Sequence, residues 1–532
     1  MNQRQRFIRK IVYACAIAAL LLPLSWLSQP ETTAGSEGGL LARMRKEHHL
    51  SQAALGEIDP ASETIKLVTL GMRGVAANIL WEKANHYRKV EDWSSLSATY
   101  EQIARLQPNF VTVWVFQSWN LSYNISVEFD DYHDRYYWVI KGIDFLKEGT
   151  TYNTEEPRLL SEIGWILSQK IGRADEHVQF RRLFREDDDF NGSRPLAQRD
   201  NWLVGREWQL QAQRLVDEKG ITVRGKTPLL FYSQSPMCLI NYSEALEEEG
   251  TFGEVAKSAW RKAADAWNQY SNRDLPTQYN FSVRLSEKEI YEKRSREAQD
   301  ELTRLAPAGL REEMVSERLA ALTPQERDAY DTPDAQRTSE QRGLVPVLDG
   351  KMKIEHVQFA DRIKGENHAA ALKAAEEATQ CDFIARAIDN QREIVNYDYW
   401  LLRCQLEPND DTLAARKLIY DADKAFVAAN IRAPELYVEG FKNWRKVLDA
   451  HPALIKDSNF TDELADSVEH YRNALHQIDE TLPKPFILQD VLDADEAYHG
   501  ALGRKPRFET SQPGPGEADP TDPGPPGAVK QP

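Results

Sequence analysis

The pattern of apolar and polar positions follows the period of an α-helix from about residue 61 onward. In "WEKANHYRKVEDWSSLSATYEQIARLQP", from Trp81 to Pro108, apolar residues recur at spacings of three and four in two short runs, and a proline ends the second run. This spacing places the apolar side chains on one face of each helix. The segment therefore predicts two amphipathic helices joined as a hairpin.

This hairpin matches the spacing of a tetratricopeptide unit. Such a unit has about 34 residues, with small and aromatic residues where its two helices cross and a proline at the end. Three stretches carry these offsets: Ala84, Tyr87, Tyr100 and Pro108; Ala256, Trp260 and Ala263; and Gly440, Trp444, Val447 and Pro452. Three occurrences favour a repeat array over unrelated amphipathic helices.

We therefore predict an all-α fold of tetratricopeptide-like helical hairpins, an α-solenoid, after a single N-terminal transmembrane segment. Helices are also predicted at 382–406, 411–430 and 460–480, with Ser458 as the N-cap of the last. The predicted organisation is a basic flank at 1–10, an apolar segment at 11–27, a tether at 28–60, a first repeat block at 61–285, a charged helical excursion at 286–345, a second repeat block at 346–485, and a C-terminal extension at 486–532 that is Pro/Gly-rich and disordered from about 506.

The N-terminus predicts export. "MNQRQRFIRK" carries four basic residues and no acid, and the apolar run 11–27 follows it. The run is long for a signal peptide and close to the lower limit for a membrane span, so both interpretations stay open. Its length and Trp26 at the far interface favour an uncleaved anchor. The basic flank then stays in the cytoplasm and the body lies outside, as in a single-pass inner-membrane protein with a periplasmic body.

Composition narrows the function classes. With 83 acidic and 66 basic residues the net charge is −17, whereas a nucleic-acid-binding protein presents a basic face. Four cysteines occur without a CxxC motif, which argues against zinc ribbons and c-type haem. Cys15 lies in the apolar run. A disulfide between Cys381 and Cys404 stays open, although both stand at core positions of predicted helices.

One stretch has the spacing of a phosphate-binding loop. "GITVRGKT", 220–227, fits GxxxxGK[ST]. That motif needs a buried strand before it and a helix after it. Here a helical pattern precedes the motif, and "LLFYSQSP" after Pro228 is predicted to be non-helical. The context favours a plain turn, and we expect neither a nucleotide nor another cofactor.

Two acidic loops are candidate metal sites. In "DDDFNG", Asp187, Asp189 and Asn191 occupy the first, third and fifth positions of a calcium loop, but Gln198 stands where the bidentate acid belongs. "EFDDYHD", 128–134, is a second oxygen-rich stretch. A capped acidic turn is the competing interpretation of the first stretch, and a solvated loop is that of the second. The sequence has no GxSxG motif and no recognisable Cys–His signature, so we do not predict an enzyme.

Three stretches carry a family resemblance. "LWEKANHYRKVEDWSSLSATYEQIARLQPNFVTVWVFQSWNLSYN" and "FYSQSPMCLINYSEALEEEGTFGEVAKSAWRKAADAW" resemble exported, membrane-anchored helical-repeat proteins of planctomycete-type bacteria. "LAALTPQERDAYDTPDAQRTSEQR" is similar to stretches of other exported proteins of those bacteria. The resemblance covers about 60–480. It implies an extracytoplasmic helical-repeat protein and supplies no catalytic residues.

The sequence thus predicts a non-enzymatic scaffold that binds a protein, a peptide or another component of the cell envelope. Aromatic side chains are the candidate partner-binding residues, with core packing as the competing role of each: Trp114, Trp119, Tyr123, Tyr136 and Trp138. One alternative is an envelope enzyme or metal-binding module that uses the acidic loops near 128–134 and 187–191. Another is a purely architectural spacer tethered to the membrane.

Overall fold

A computed structural model describes residues 73–223 and 225–504, and this part of the chain is all-helical, as predicted. It contains 21 α-helices, two π-helical turns and one two-stranded hairpin. The α-helices are α1 Arg73–Lys89, α2 Trp93–Leu106, α3 Val111–Trp119, α4 Tyr132–Tyr152, α5 Pro157–Ile166, α6 His177–Glu186, α7 Asp188–Asn191, α8 Asn201–Lys219, α9 Pro228–Glu248, α10 Glu254–Ser271, α11 Lys288–Leu305, α12 Leu310–Ala320, α13 Pro324–Asp331, α14 Ser339–Met352, α15 His356–Arg362, α16 His368–Ile394, α17 Tyr397–Leu406, α18 Asp410–Val427, α19 Ala433–Ala450, α20 Ser458–His476 and α21 Gln489–Ala501.

The remaining regular elements are short. Two π-helical turns extend α3 and α5: π1 Asn120–Ile125 and π2 Leu167–Ile171. Strands β1 Leu275–Pro276 and β2 Ser282–Val283 pair antiparallel. None of the helices between residues 73 and 504 combines the length and the apolar character of a bilayer span. The predicted span 11–27, the tether 28–60 and the tail from about 506 lie outside the described residues.

The chain divides into two compact units. Of the described residues, the first contains 73–223, 225–245 and 258–404, and the second contains 246–257 and 405–504. In the first unit α1 and α2 form the predicted hairpin, with Ala84 and Tyr100 buried between them. Asp92 starts α2 because its side chain accepts a hydrogen bond from the Ser95 amide at 3.1 Å. The core continues through the apolar faces of α3, α4 and α5.

The longest helix pair of the first unit is α11 with α16. The two helices run antiparallel. At one end Lys288 of α11 pairs with Asp389 of α16. At the other end the side-chain amide of Asn367, the residue before α16, donates to the carbonyl of Leu305, the last residue of α11, at 3.2 Å. The chain from 306 to 366 therefore leaves and returns at one end of this pair. It holds α12 to α15, and apolar residues of α12 and α15, Met314 and Phe359 among them, pack against the ends of α11 and α16.

In the second unit α18 packs along α19 at a glycine. A Cβ atom on Gly440 would lie 2.9 Å from the Ile419 Cδ1 atom, so a larger residue there would require the Ile419 side chain to move. Trp444, one turn further along α19, is buried and stacks edge-on against Phe460 of α20. The offsets seen in the sequence around Gly440 thus mark a close helix crossing.

Helix ends differ from the sequence prediction in three places. The predicted helix 382–406 is two helices, because Asn396 adopts a left-handed conformation with φ of 48° between α16 and α17. The segment after Pro228 is helical, not irregular: proline suits the first turn of a helix, and α9 also tolerates Pro236 in its interior. Helix α20 is capped by Asp457, whose carboxylate accepts from two backbone amides, one residue before the predicted Ser458.

The described cysteines are structural. Cys238, Cys381 and Cys404 are buried, and none forms a disulfide with another described residue. Burial raises the pKa of the Cys238 thiol to about 11. That thiol stays protonated at neutral pH, which makes it a poor nucleophile.

Candidate binding site

Two of the five predicted aromatic residues belong to the core. Trp114 of α3 is fully buried, and its indole nitrogen donates to the Pro108 carbonyl at 2.8 Å. Its ring centre lies 4.6 Å from that of Phe145. Gly149 of α4 makes room for it, since a Cβ atom there would lie 2.8 Å from the indole. Trp114 therefore holds α3 against α4 and offers no surface to a partner.

Tyr136 is also buried, and it joins the acidic stretch 187–191 to the core. Its hydroxyl donates to the Asp187 carboxylate at 2.9 Å. Burial and the neighbouring Asp187 charge both raise the pKa of Tyr136 above its ordinary value. Trp138, on the same helix, is half-buried and stacks on Phe129 with ring centres 5.9 Å apart.

The predicted metal ligands cap helices. Asp187 is the N-cap of α7 and accepts from the Phe190 amide at 2.8 Å. Asn191 donates to the Phe184 carbonyl at 2.7 Å, while Asp189 is exposed. In the loop 128–134, Asp131 is the N-cap of α4 and accepts from the His133 amide at 2.7 Å. The capping hydrogen bonds of Asp187 and Asp131 account for these two carboxylates, and a bound metal ion is not needed to explain them.

The other two predicted aromatic residues, Trp119 and Tyr123, belong to a continuous row of rings, here called the aromatic strip. It consists of Trp81, Phe116, Trp119 and Tyr123. Successive ring centres are 5.9, 6.5 and 6.0 Å apart. Phe116 is 42 % exposed and Trp119 is 46 % exposed, whereas the two end members are half-buried. Aromatic side chains in contact with one another and open to solvent are a common feature of binding surfaces.

The strip runs from α3 into π1, and tight packing fixes this turn. A Cβ atom on Gly142 of α4 would lie 2.8 Å from the Ser118 carbonyl oxygen and would overlap the Ser122 hydroxyl. Ser126 donates to the Ser122 carbonyl at 2.6 Å, which satisfies a carbonyl at the end of the turn. A π-helical turn is rare and is found frequently at functional sites. Here it places Tyr123 at the end of the strip.

The second π-helical turn brings a cation to the same place. Lys170 of π2 is only 8 % exposed, and its ammonium group lies 5.5 Å from the centre of the Tyr123 ring. It has no hydrogen bond and no ion pair with a described residue. Burial lowers the pKa of Lys170, and burial raises the pKa of Tyr123 to about 12. A buried ammonium without a hydrogen bond or a close ion pair is energetically unfavourable, and such groups are found at functional sites.

A third polar group lies beside the strip. The Lys226 ammonium is 3.1 Å from the Glu162 carboxylate and donates to the Ser161 hydroxyl at 3.1 Å. Lys226 is the lysine of the GxxxxGK[ST] match. The turn around it follows α8, not a strand, and Gly220 ends α8 in a left-handed conformation. The lysine therefore serves an ion pair on the surface of α5.

His356 and Asp382 line a cavity of about 410 Å³ in the first unit, and Ser295 joins them in a Ser–Asp–His group. The Ser295 hydroxyl donates to one oxygen of Asp382, and the other oxygen is 2.9 Å from His356 Nε2. The carboxylate stands between serine and histidine, so the histidine cannot take a proton from the serine as it does in a nucleophilic triad. Sequence inspection could not find the group because its members lie 26 to 87 residues apart.

One set of metal-type ligands converges in the second unit. Among the described residues, Asp462, Asp495 and His499 bring ligand atoms within 4.8 Å of one another. His499 Nε2 lies 3.3 Å from Asp462 and 3.4 Å from Asp495, which is 1 % exposed. The histidine thus already joins the two carboxylates. Asp495 and His499 share a helix face at a spacing of four, but Asp462 comes from another helix.

Comparison with known protein families, with curated proteins and with solved structures gives no match for this chain.

Proposed function

We propose that this chain is a binding scaffold of the cell envelope, and that it holds a protein partner at the aromatic strip. One observation carries the proposal: Phe116 and Trp119 are open to solvent within a continuous row of rings, and an ammonium without a hydrogen bond to a described residue lies at the end of that row. Rings at an interface supply large contact area with few rotatable bonds.

The chemistry of the strip defines the bound segment. The rings favour apolar or aromatic side chains, and the buried ammonium of Lys170 favours a carboxylate. We therefore propose an extended peptide segment of the partner in which an acidic residue stands beside apolar ones. Such a carboxylate would form a charge-assisted hydrogen bond in a poorly solvated place, where it is stronger than on an open surface.

The repeat architecture and the location belong to the same proposal. Tetratricopeptide-like stacking is supported by the hairpins α1–α2 and α18–α19 and by the close crossing at Gly440. Stacked hairpins of this kind offer extended surfaces to partners. The basic flank and apolar run at 1–27 support a single-pass anchor with the body outside the cytoplasm. We propose no reaction.

Site-specific photo-crosslinking in cells tests the function. A photoreactive phenylalanine analogue is placed at Phe116 or at Trp119 of the full-length chain, and at Val178 as an exposed control in the same unit. The expected result is one discrete adduct from the two strip positions and none from 178. The adduct should weaken with Lys170→Met. Equal labelling from all three positions, or no adduct from the strip, would contradict the proposal.

A further inference from the structure

A separate cavity of about 210 Å³ lies between α8, α9 and the end of α10 in the first unit. Helix α8 presents Arg206, Gln213, Arg214 and Asp217 to it. Their spacings of seven, eight and eleven residues place all four on one face of the helix. Arg273, just after α10, completes the polar wall.

A proline in α9 shapes this cavity. Pro236 has no amide hydrogen, so the Tyr232 carbonyl one turn earlier lacks its usual helical partner. The Gln213 side-chain amide approaches that carbonyl and the Phe231 carbonyl, each at 3.4 Å. Helix α8 therefore supports the irregular part of α9, and the wall of the cavity is a built feature of the fold.

One of the three guanidinium groups is neutralised within the wall. Arg273 pairs with Asp217 and lies flat over the Tyr232 ring, 3.7 Å from its centre. The Tyr232 hydroxyl donates to the same carboxylate oxygen at 2.7 Å. The one acid of the lining is thus held by two donors and is not directed at the other arginines.

The other two guanidinium groups are not neutralised. Arg206 and Arg214 form no hydrogen bond and no ion pair with any described residue. Arg206 Nε is fully buried and has no hydrogen-bond partner in the described part of the chain. The neighbouring acid on α8, Glu207, is held by Arg194 through two bonds of 2.8 Å. Leaving a buried donor unsatisfied costs about 1–3 kcal/mol.

We propose that this cavity is a binding site for a small anion that carries a phosphate or carboxylate group, with Arg206 and Arg214 as its direct ligands. Three guanidinium groups and one carboxylate leave the lining at about two positive charges, in a chain whose net charge is −17. Guanidinium forks match both kinds of oxyanion bidentately. The volume is below the range of about 300–1,000 Å³ that holds drug-sized ligands, which fits an anion of a few heavy atoms.

Calorimetric titration of the full-length chain at low ionic strength tests this site, with inorganic phosphate and succinate as probes. We expect saturable binding of at least one probe at one site per chain. The probe that binds identifies which oxyanion the site prefers. Arg206→Met should weaken binding at least about tenfold, the loss typical of a charge-assisted hydrogen bond. Arg296→Gln, an exposed arginine on α11 without a partner in the described residues, is the matched control.

Thermal melting gives the second readout. The probe should raise the melting temperature of the wild type and of Arg296→Gln but not that of Arg206→Met. If Arg206→Met does not fold, Arg214→Gln takes its place, because Arg214 is exposed. No saturable binding to the wild type, or equal binding to all variants, overturns the proposal. The aromatic strip is intact in each variant, so these results are independent of the proposed function.

Discussion

The Lys170 ammonium lies 5.5 Å from the centre of the Tyr123 ring, and each of these side chains belongs to its own π-helical turn. A π-turn adds a residue to a helix and is locally unfavourable, so it persists only where surrounding packing holds it. Two such turns bring Lys170 and the Tyr123 ring together, and this arrangement is the basis of the binding role proposed above.

Removing this cation should stabilise the protein while it weakens binding. Lys170→Met replaces a buried charge by an apolar chain of similar length, and we expect the free energy of unfolding at pH 7 to rise by roughly 0.5–2 kcal/mol. Denaturant unfolding measures this change. Lys141→Met is the control, because Lys141 lies 5.4 Å over the Tyr137 ring but is exposed.

The gain in unfolding free energy from Lys170→Met should depend on pH. Burial lowers the pKa of Lys170 below its usual 10.5, so the folded protein releases this proton before the unfolded chain does. The wild type therefore gains stability as the pH rises toward 10.5, because the unfolded state binds more protons there. The difference between variant and wild type should be largest near neutral pH and should shrink toward pH 10.5. A difference that stays constant over this range would contradict the assignment of a buried charge.

Two tryptophans of α3 should respond differently to truncation. Trp114→Ala removes a fully buried ring and should cost about 3–5 kcal/mol of unfolding free energy. Trp119→Ala removes a ring that is nearly half exposed and should cost less than about 1 kcal/mol. Chemical denaturation of the two variants checks the pair. Similar losses in both would show that Trp119 is a core residue and that the strip is not an open surface.

The packing of α4 on π1 gives a third prediction. Gly142→Ala places a methyl group against the Ser118 carbonyl and the Ser122 hydroxyl, and we expect a loss of about 1–3 kcal/mol from overpacking. Gly343→Ala is the matched control. It lies in the open interior of α14, where alanine should stabilise by roughly 0.5–1 kcal/mol. The melting temperature should therefore fall for Gly142→Ala and rise for Gly343→Ala.

The Ser295–Asp382–His356 group predicts a sensitivity to acid. Burial acts to raise the pKa of Asp382, but the hydrogen bonds from Ser295 and His356 outweigh it and lower the pKa below the usual 3.8. The stability that this group contributes is present above pH 3.8 and is lost as the pH falls through the lowered value. Ser295→Ala should cost about 1 kcal/mol at pH 7, a modest figure because the carboxylate is about one-third exposed.

This cost should shrink as Asp382 is protonated below pH 3.8. Denaturant unfolding at pH 7 and at pH 3 measures the change. Ser243→Ala is the control, because its hydroxyl donates to a neutral carbonyl, that of Leu239, at 2.9 Å. Its cost should be the same at both pH values. A cost for Ser295→Ala that does not fall in acid would show that its bond to the charged carboxylate is unimportant.

The sequence predicted the all-helical character of the fold because helical periodicity is a local property. Ala256, Trp260 and Ala263 line one stripe in the sequence, and all three are buried in α10. Local pattern could not predict the break at Asn396, since asparagine also occurs inside helices. The prediction that the segment after Pro228 is non-helical was wrong, because a proline interrupts a helix but also suits the first turn of a new one.

The candidate site was harder to predict because exposure depends on neighbouring helices. Trp114 and Trp119 lie five residues apart on the same helix, and only the position of α4 determines which one is covered. The cation beside the strip could not be predicted either, since Lys170 follows Tyr123 by 47 residues and the two meet through π-turns that have no sequence signature. The arginines of the anion cavity could be predicted only in part for the same reason. Arg206 and Arg214 share a helix face, but Arg273 joins them only in the folded chain.

The contact between Asn367 and Leu305 has a practical consequence for protein engineering. Since the chain departs and comes back at one point, everything between these residues is a cassette on a continuous two-helix stem. Insertions at such junctions are tolerated when the two ends stay close together. A reporter domain that replaces the cassette must also cover the apolar residues at that end of α11 and α16, Leu302 and Ala371 among them, which share a buried cluster with Phe359.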